Sequence, residues 1–195
     1  MNKPERAPSP RQSELLELAY QYILQHGLAD LSLRPLAESI GSSPRVLLFL
    51  FGSKDGLVRA LLARARTDEI ALLDRVRRDK NPSDLADIVR TTWRWLAAGQ
   101  HRALLALWAQ AYARSLTEPD GPWAGFARQT VEDWLGVLAT GQPAKRRRSA
   151  AGAAERSLAL AVLRGSLLDL LATNDLERTT AAVHRHLAES ARTSS

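Results

Sequence analysis

Apolar residues recur at helical spacing along nearly the whole chain. Over 12–25, Leu15, Leu18, Ala19, Tyr22 and Ile23 fall at i, i+3, i+4, i+7 and i+8, one face of an amphipathic helix. Gly27 follows, a residue free to take positive φ past a helix end. Two short elements come next. Ser32 is placed to cap a helix over 33–40 that Gly41 stops. Ser43 is placed to cap a second one running to Phe51, with Pro44 at its first position, where the missing N–H costs nothing. Gly52 ends it, and Ser53 caps a long helix over 54–78. The core face of that helix is Leu57, Val58, Leu61, Leu62 and Ala65, continued by Leu72, Leu73 and Val76.

The run DKNPS at 79–83 is the first clear break, with Asn81 or Ser83 as the expected cap of the next helix. That helix aligns Leu85, Ile88, Val89, Thr92, Trp93 and Leu96 and closes at Gly99. The helix over 101–116 aligns Leu104, Leu107, Trp108, Ala111 and Tyr112. After the turn signal EPDGP at 118–122, the helix over 123–140 turns Trp123, Phe126, Thr130, Val131, Trp134 and Leu138 inward. A polar loop at 141–149 leads to helices over 150–173 and 175–192. The expected fold is all-α, with about nine helices and no strand.

The helix over 150–173 carries two apolar stripes. One is Leu158, Ala161, Val162 and Gly165; the other is Leu160, Leu163, Leu167, Leu170 and Leu171. A helix apolar on two sides must be covered on two sides, and in a chain this small a second copy can supply one cover. The expected dimer interface is Leu160, Leu163, Gly165, Leu167 and Leu171, with Gly165 allowing close approach.

Composition narrows the function. The chain has 195 residues, 45% hydrophobic and 25% charged, so it folds as one ordinary domain or as a small domain joined to a larger one. The absence of cysteine excludes disulfides, thiolate nucleophiles and Cys-based zinc sites, and fits a reducing, cytoplasmic setting. With 27 Lys and Arg against 21 acids the net charge is +6, which favours an anionic partner such as nucleic acid. No segment is long and apolar enough for a membrane span, and residues 1–11 lack the apolar run of a signal peptide. They read as a flexible arm whose Lys3, Arg6 and Arg11 can follow a phosphate backbone.

Enzymatic chemistry has no visible basis, and no cofactor or metal is expected. HExxH, GxGxxG, P-loop and nucleophile-elbow patterns are missing. His184 and His186 stand about 200° apart on their helix and cannot share a metal.

The segment 31–54, LSLRPLAESIGSSPRVLLFLFGSK, places two short helices about a turn at Gly41, behind the helix over 12–25. That is a helix-turn-helix arrangement, with the motif at about 32–51. Its second helix is the one that enters the major groove of DNA, first turn foremost. Helix starts at Ser32, Ser43 and Ser53 aim N–H groups at phosphates. The basic residues Arg34, Arg45 and Lys54 also fall at helix starts, although 1–66 as a whole holds only nine Lys and Arg against six acids.

These residues resemble the helix-turn-helix of TetR-type transcriptional regulators. The likeness rests on Ser32, Leu36-Ala37, Gly41-Ser42-Ser43, Leu47 to Phe51 and Gly52-Ser53-Lys54-Asp55, and covers about residues 9–69. It implies a DNA-binding domain over 9–69 and a regulatory domain over 80–195 that binds a small ligand and dimerises. It implies double-stranded DNA with a palindromic operator as partner and a repressor that the ligand releases. The expected DNA contacts are Ser32, Arg34, Ser42, Ser43, Pro44, Arg45, Phe49 and Lys54. The chain departs from the family pattern at Leu48, Phe49 and Leu50, where a Tyr and a His that donate to phosphate are usual. The alternative is therefore a helical dimeric small-molecule-binding protein that has lost operator recognition. All five tryptophans lie between 93 and 134. Trp93, Trp108, Tyr112, Trp123 and Trp134 are the expected lining of a pocket for a small apolar or aromatic ligand, with Arg90, Gln110, Arg164 and Asp169 for polar contacts; the alternatives are that these rings are only core and that Arg164 and Asp169 sit at the dimer seam.

Overall fold

The computed structural model describes residues 9–28, 31–78 and 84–193. Residues 1–8 of the expected arm and the break at 79–83 lie outside the described residues, as do the side chains of Leu72, Leu73 and Val76, while Pro10 and Arg11 of that arm are already helical. The described chain is helical throughout, without a strand. Its helices are α1 (Pro10–His26), α2 (Leu33–Ser39), α3 (Pro44–Phe51), α4 (Lys54–Arg78), α5 (Leu85–Leu96), α6 (Arg102–Thr117), α7 (Phe126–Thr140), α8 (Ala144–Arg147), α9 (Ala150–Thr173) and α10 (Leu176–Thr193). A 3-10 turn at Gly99–His101 opens into α6.

The helix count thus exceeds the expected nine by α8, which forms inside the basic stretch KRRR. That stretch is no free loop. Gln142 is buried and donates to the Gly152 carbonyl at 3.1 Å and to Glu155 at 3.0 Å, while Arg146 pairs with Glu155 and Arg156 donates to Gln142. The hydrogen bond from Arg146 holds the Glu155 carboxyl below its ordinary pKa.

Most local signals act where the spacing puts them. Ser43 Oγ accepts from the Val46 N–H at 3.3 Å and Ser53 Oγ from the Gly56 N–H at 3.0 Å. Gly27 and Gly52, at φ 80° and 78°, return their N–H groups to the Ile23 and Leu48 carbonyls. Two caps differ. Ser32 stands at the start of α2 but its side chain makes no cap bond. Asp84, rather than Asn81 or Ser83, caps α5, accepting from the Asp87 N–H at 2.9 Å. Helix α7 begins at Phe126, three residues later than the periodicity indicates, because 118–125 is spent on turns that end with Gly125 at φ 75°.

Packing forms two cores. One gathers α1 to α4 around Tyr20, Ile23, Leu36, Leu47, Leu57 and Leu61. The other gathers α5, α7, α9 and α10 around Ile88, Trp93, Val137, Leu163 and Val183. The division at 69–80 does not separate them cleanly. Leu107 and Ala111 of α6, with Trp123 and Phe126, complete the first core, and Trp108 packs against both. Gln110 ties the same two parts by accepting the Leu28 N–H at 3.0 Å.

The end of α7 touches the start of α5 so closely that position 141 has no room for a methyl group. A Cβ there would stand 2.8 Å from the Asp84 carbonyl oxygen, from Leu85 Cα and from Ile88 Cδ1. Gly141→Ala must push backbone apart, so it is expected to destabilise by about 1–3 kcal/mol. A melting curve checks this, at about 2–4 °C of lowered Tm per kcal/mol.

Candidate functional site

Helix α3 has one inward side and one outward side. At 100° per residue, Leu47 and Phe51 point to one side, and Arg45 and Phe49 to the other, with Val46 and Leu48 flanking them. Burial follows this wheel. Leu47 is buried and Leu50 and Phe51 are half-buried, while Arg45 is exposed, Val46 and Leu48 are about 40% exposed, and Phe49 is 85% exposed. Pro44 and the Ser43 cap start the helix, so Arg45 stands at its second position, in the first turn.

The expected contact residues separate on this geometry. Ser32, Arg34, Ser43, Arg45, Phe49 and Lys54 are exposed, and Pro44 is half-buried. Arg34 is engaged by Glu38 at 3.3 Å, an exposed pair of little energetic weight. Among the described residues Arg45 and Lys54 have no ion-pair partner. Ser42 departs from expectation: its Oγ is sealed from solvent, which takes it off the exposed face.

The tryptophans do not form one cluster. A cavity of about 50 Å3 lies between α4, α5, α6, α7 and α9. Trp108 and Trp134 line it, together with Trp95, Leu62, Ala65 and Arg164. Trp93 is buried in the core beside α10, where its Nε1 donates to Thr180 at 3.0 Å. Trp123 belongs to the first core, under the Arg114 guanidinium at 5.5 Å. Tyr112 stands behind the cavity wall, tilted on Trp108 and accepting from Arg164 at 3.0 Å. Periodicity hid Trp95, because it sits 200° from Trp93 and so appears to face away from the α5 core side. It is brought in at the helix end, stacked on His101 at 3.8 Å.

Of the expected polar contacts, only Arg164 reaches the cavity. Arg90 pairs with Asp87, Asp169 with Arg178 at 2.9 Å, and Gln110 is taken by Leu28. The size is informative: an engineered apolar cavity that admits benzene measures about 150 Å3. A ligand of more than a few atoms therefore requires the walls to move.

Helix α9 reverses the expected use of its two stripes. Leu160, Leu163 and Leu167 are buried in the chain's own core and line the cavity, so a second chain has no access to them. Leu171 is half-buried against the same core. The exposed side is Ala154, Leu158, Ala161, Gly165, Leu168 and Ala172, at spacings of four and three residues, with Leu158 and Leu168 about half exposed. A Cβ at Gly165 would meet nothing within 4 Å.

Helix α4 reaches both the core under α3 and the cavity. Its Leu57, Val58 and Leu61 help to build the core under α3, and its Leu62 and Ala65 line the cavity. Arg64 binds Glu17 of α1 at 2.8 Å and lies over the Tyr20 ring at 4.5 Å, while Tyr20 donates to Asp68 at 2.8 Å. The bond from Arg64 holds the Glu17 carboxyl below its ordinary pKa. Burial first, then the bond to Asp68, pushes the Tyr20 phenol up. Arg66, mostly buried, pairs with Asp133 of α7.

Two short helices about a turn, on a larger helical body with an apolar cavity, define a helix-turn-helix protein. Residues 15–61 match the family described as bacterial regulatory proteins, tetR family. An HTH-type transcriptional regulator of Mycobacterium tuberculosis is 28% identical over 137 residues, which cover 67% of this chain and 56% of that protein. The chain thus spans little more than half the length of this relative. A TetR transcription regulator from Haloarcula marismortui has the same fold over 92% of this chain and 97% of its own, with TM-score 0.70 and 17% identity. The multidrug binding protein EbrR, in complex with imidazole, follows it over 91% of this chain and 90% of its own, with TM-score 0.62 and 24% identity. Residues 15–61 thus resemble the tetR-family helix-turn-helix, and the TetR-like fold runs through nearly the full length of the chain. Among the described residues no helix is long and apolar enough to cross a membrane.

Proposed function

We propose that the protein is a homodimeric, sequence-specific DNA-binding transcriptional regulator of the cytoplasm, a repressor released from a palindromic operator by a small apolar or aromatic ligand. The DNA-binding part is 9–69 and the regulatory part 80–195. Arg45 reads base edges from the first turn of α3. Ser32, Ser43, Lys54 and Arg34 meet the phosphate backbone. The ligand enters among Trp95, Trp108 and Trp134, and two copies pair through the exposed side of α9 with α10.

The observation that supports this reading best is the double use of α4. Leu62 and Ala65 form part of the cavity wall, and the turn before them holds the core of α3. In this reading a ligand that needs more than 50 Å3 gains its room by displacing the α4 part of that wall. The displacement moves α3 in each protomer and changes the distance between two recognition helices. It acts as a switch only if the ligand prefers the displaced state.

The rival reading, a ligand-binding dimer that no longer reads DNA, rests on Leu48 and Phe49, whose side chains have no donor for phosphate. Retention of genomic fragments on immobilised protein separates the two. The regulator keeps a subset of fragments as salt rises, whereas non-specific binding releases all of them together. A small aromatic compound that shifts the tryptophan fluorescence saturably should elute that subset, and Trp108→Ala should weaken both effects. Release of all fragments alike would exclude the regulator. An elution that Trp108→Ala leaves unchanged would exclude the cavity.

A further inference from the structure

We infer that Phe49, flanked by Val46 and Leu48, reads thymine methyl groups in the major groove, so that each half-site carries thymine beside the base bound by Arg45. The inference rests on the DNA-binding reading above. It begins from an excess of apolar surface. Helix α3 packs into the core through Leu47 and Phe51 on the inner side, with Leu50 half-buried. The outer side then has Phe49 at 85% exposure and Val46 and Leu48 at 39% and 41%. Three neighbouring apolar side chains on one short helix form a contiguous patch, which soluble proteins rarely expose without a use.

The occupant is indicated by what shares the face. Arg45 lies one turn before Phe49, exposed and without an ion-pair partner among the described residues. Lys54 and Arg34, both exposed, stand at the starts of the adjoining helices. A partner for this surface must offer acceptors, apolar groups and negative charge together. The major groove does so. Guanine presents O6 and N7 to an Arg, thymine presents its C5-methyl to an apolar side chain, and phosphates flank both. The spacing is compatible: Arg45 and Phe49 are about 6 Å apart along the helix, close to two base-pair steps of about 3.4 Å. Without Tyr and His at these positions the helix gives up phosphate hydrogen bonds and gains base contacts that depend on one methyl group.

The test uses the full-length protein and a duplex selected by it from a random pool. Each thymine is replaced in turn by deoxyuridine, which removes the methyl and keeps every hydrogen-bonding group. At one or two positions in each half-site the affinity should fall about fourfold per methyl, the value of one buried carbon group. Phe49→Ala should bind the thymine and uracil duplexes equally, while Arg45→Ala, though weaker, should retain the difference. Phe49 is so exposed that its replacement should leave the melting curve unchanged, which keeps the comparison clean. A binding site indifferent to uracil at every position overturns the inference and leaves the DNA-binding reading standing. So does a uracil penalty that persists in Phe49→Ala, since another side chain then meets the methyl. Indifference to uracil with a loss of self-association in Phe49→Ala would make the patch a protein contact. Failure to retain any duplex overturns both readings.

Discussion

In the proposed dimer, Leu168→Arg should separate the two copies and lower the affinity for a two-fold operator by about 10²–10⁴-fold. The substitution changes one side chain on the exposed stripe of α9, midway between Gly165 and Ala172. A two-fold interface contains every seam residue twice, so one mutation buries two charges. Each monomer retains its own α3, so single half-sites are still bound weakly. The loss comes from removing the second, tethered contact. Sedimentation velocity reads the mass and a half-site titration reads the residual binding. A contrasting variant sharpens the result. Leu167 is the next residue but is 3% exposed and sits against the cavity. Leu167→Arg should give insoluble or unfolded chain, because its charge enters the core of the protomer. A soluble, dimeric Leu168→Arg protein would place the seam elsewhere.

Arg45→Ala and Lys54→Ala should weaken DNA binding in different ways. Arg45 occupies the first turn of α3, the part of a recognition helix that meets base edges, and Arg can bond guanine O6 and N7 together. Its loss should cost about 1–3 kcal/mol on the selected site, about 5- to 150-fold, and relax the choice of base at one position per half-site. Lys54, exposed at the start of α4, offers a point charge with no base geometry. Its loss should weaken all sequences alike and make the dependence of log affinity on log salt shallower by about one unit per protomer. Titrations of the selected and scrambled duplexes at three salt concentrations distinguish these outcomes. Base specificity that depends on Lys54, with only salt dependence at Arg45, would mean that α3 is turned about its axis in the groove.

The helix-turn-helix was legible because its signals are local. Ser43 and Ser53 cap the N–H groups three residues on, and Gly27, Gly41 and Gly52 turn the chain at positive φ. Such contacts span fewer than five residues, so the order of letters determines them almost completely. Leu47 inward and Phe49 outward on α3 likewise follow from 3.6 residues per turn once one neighbouring core exists. Basic residues at Arg34, Arg45 and Lys54 stay exposed because burying a charge costs more than an exposed pair such as Arg34 with Glu38 returns.

Tertiary structure alone decided which apolar surface met which. Periodicity distinguishes the two stripes of α9 but cannot say which one faces α5, α6 and α7. Both are apolar, and only packing made Leu160, Leu163 and Leu167 core and left Leu158 and Leu168 outside. The tryptophans show the same limit. Each signals a large buried ring, yet Trp93, Trp123 and Trp108 went to one core, the other core and the cavity wall. Hydrophobic burial is non-directional and proportional to area, so it assigns a residue to the inside without assigning its neighbours. Those come from how whole helices cross. The cavity follows from that crossing, because rigid helices bearing side chains of unequal size leave a gap that no single helix encodes.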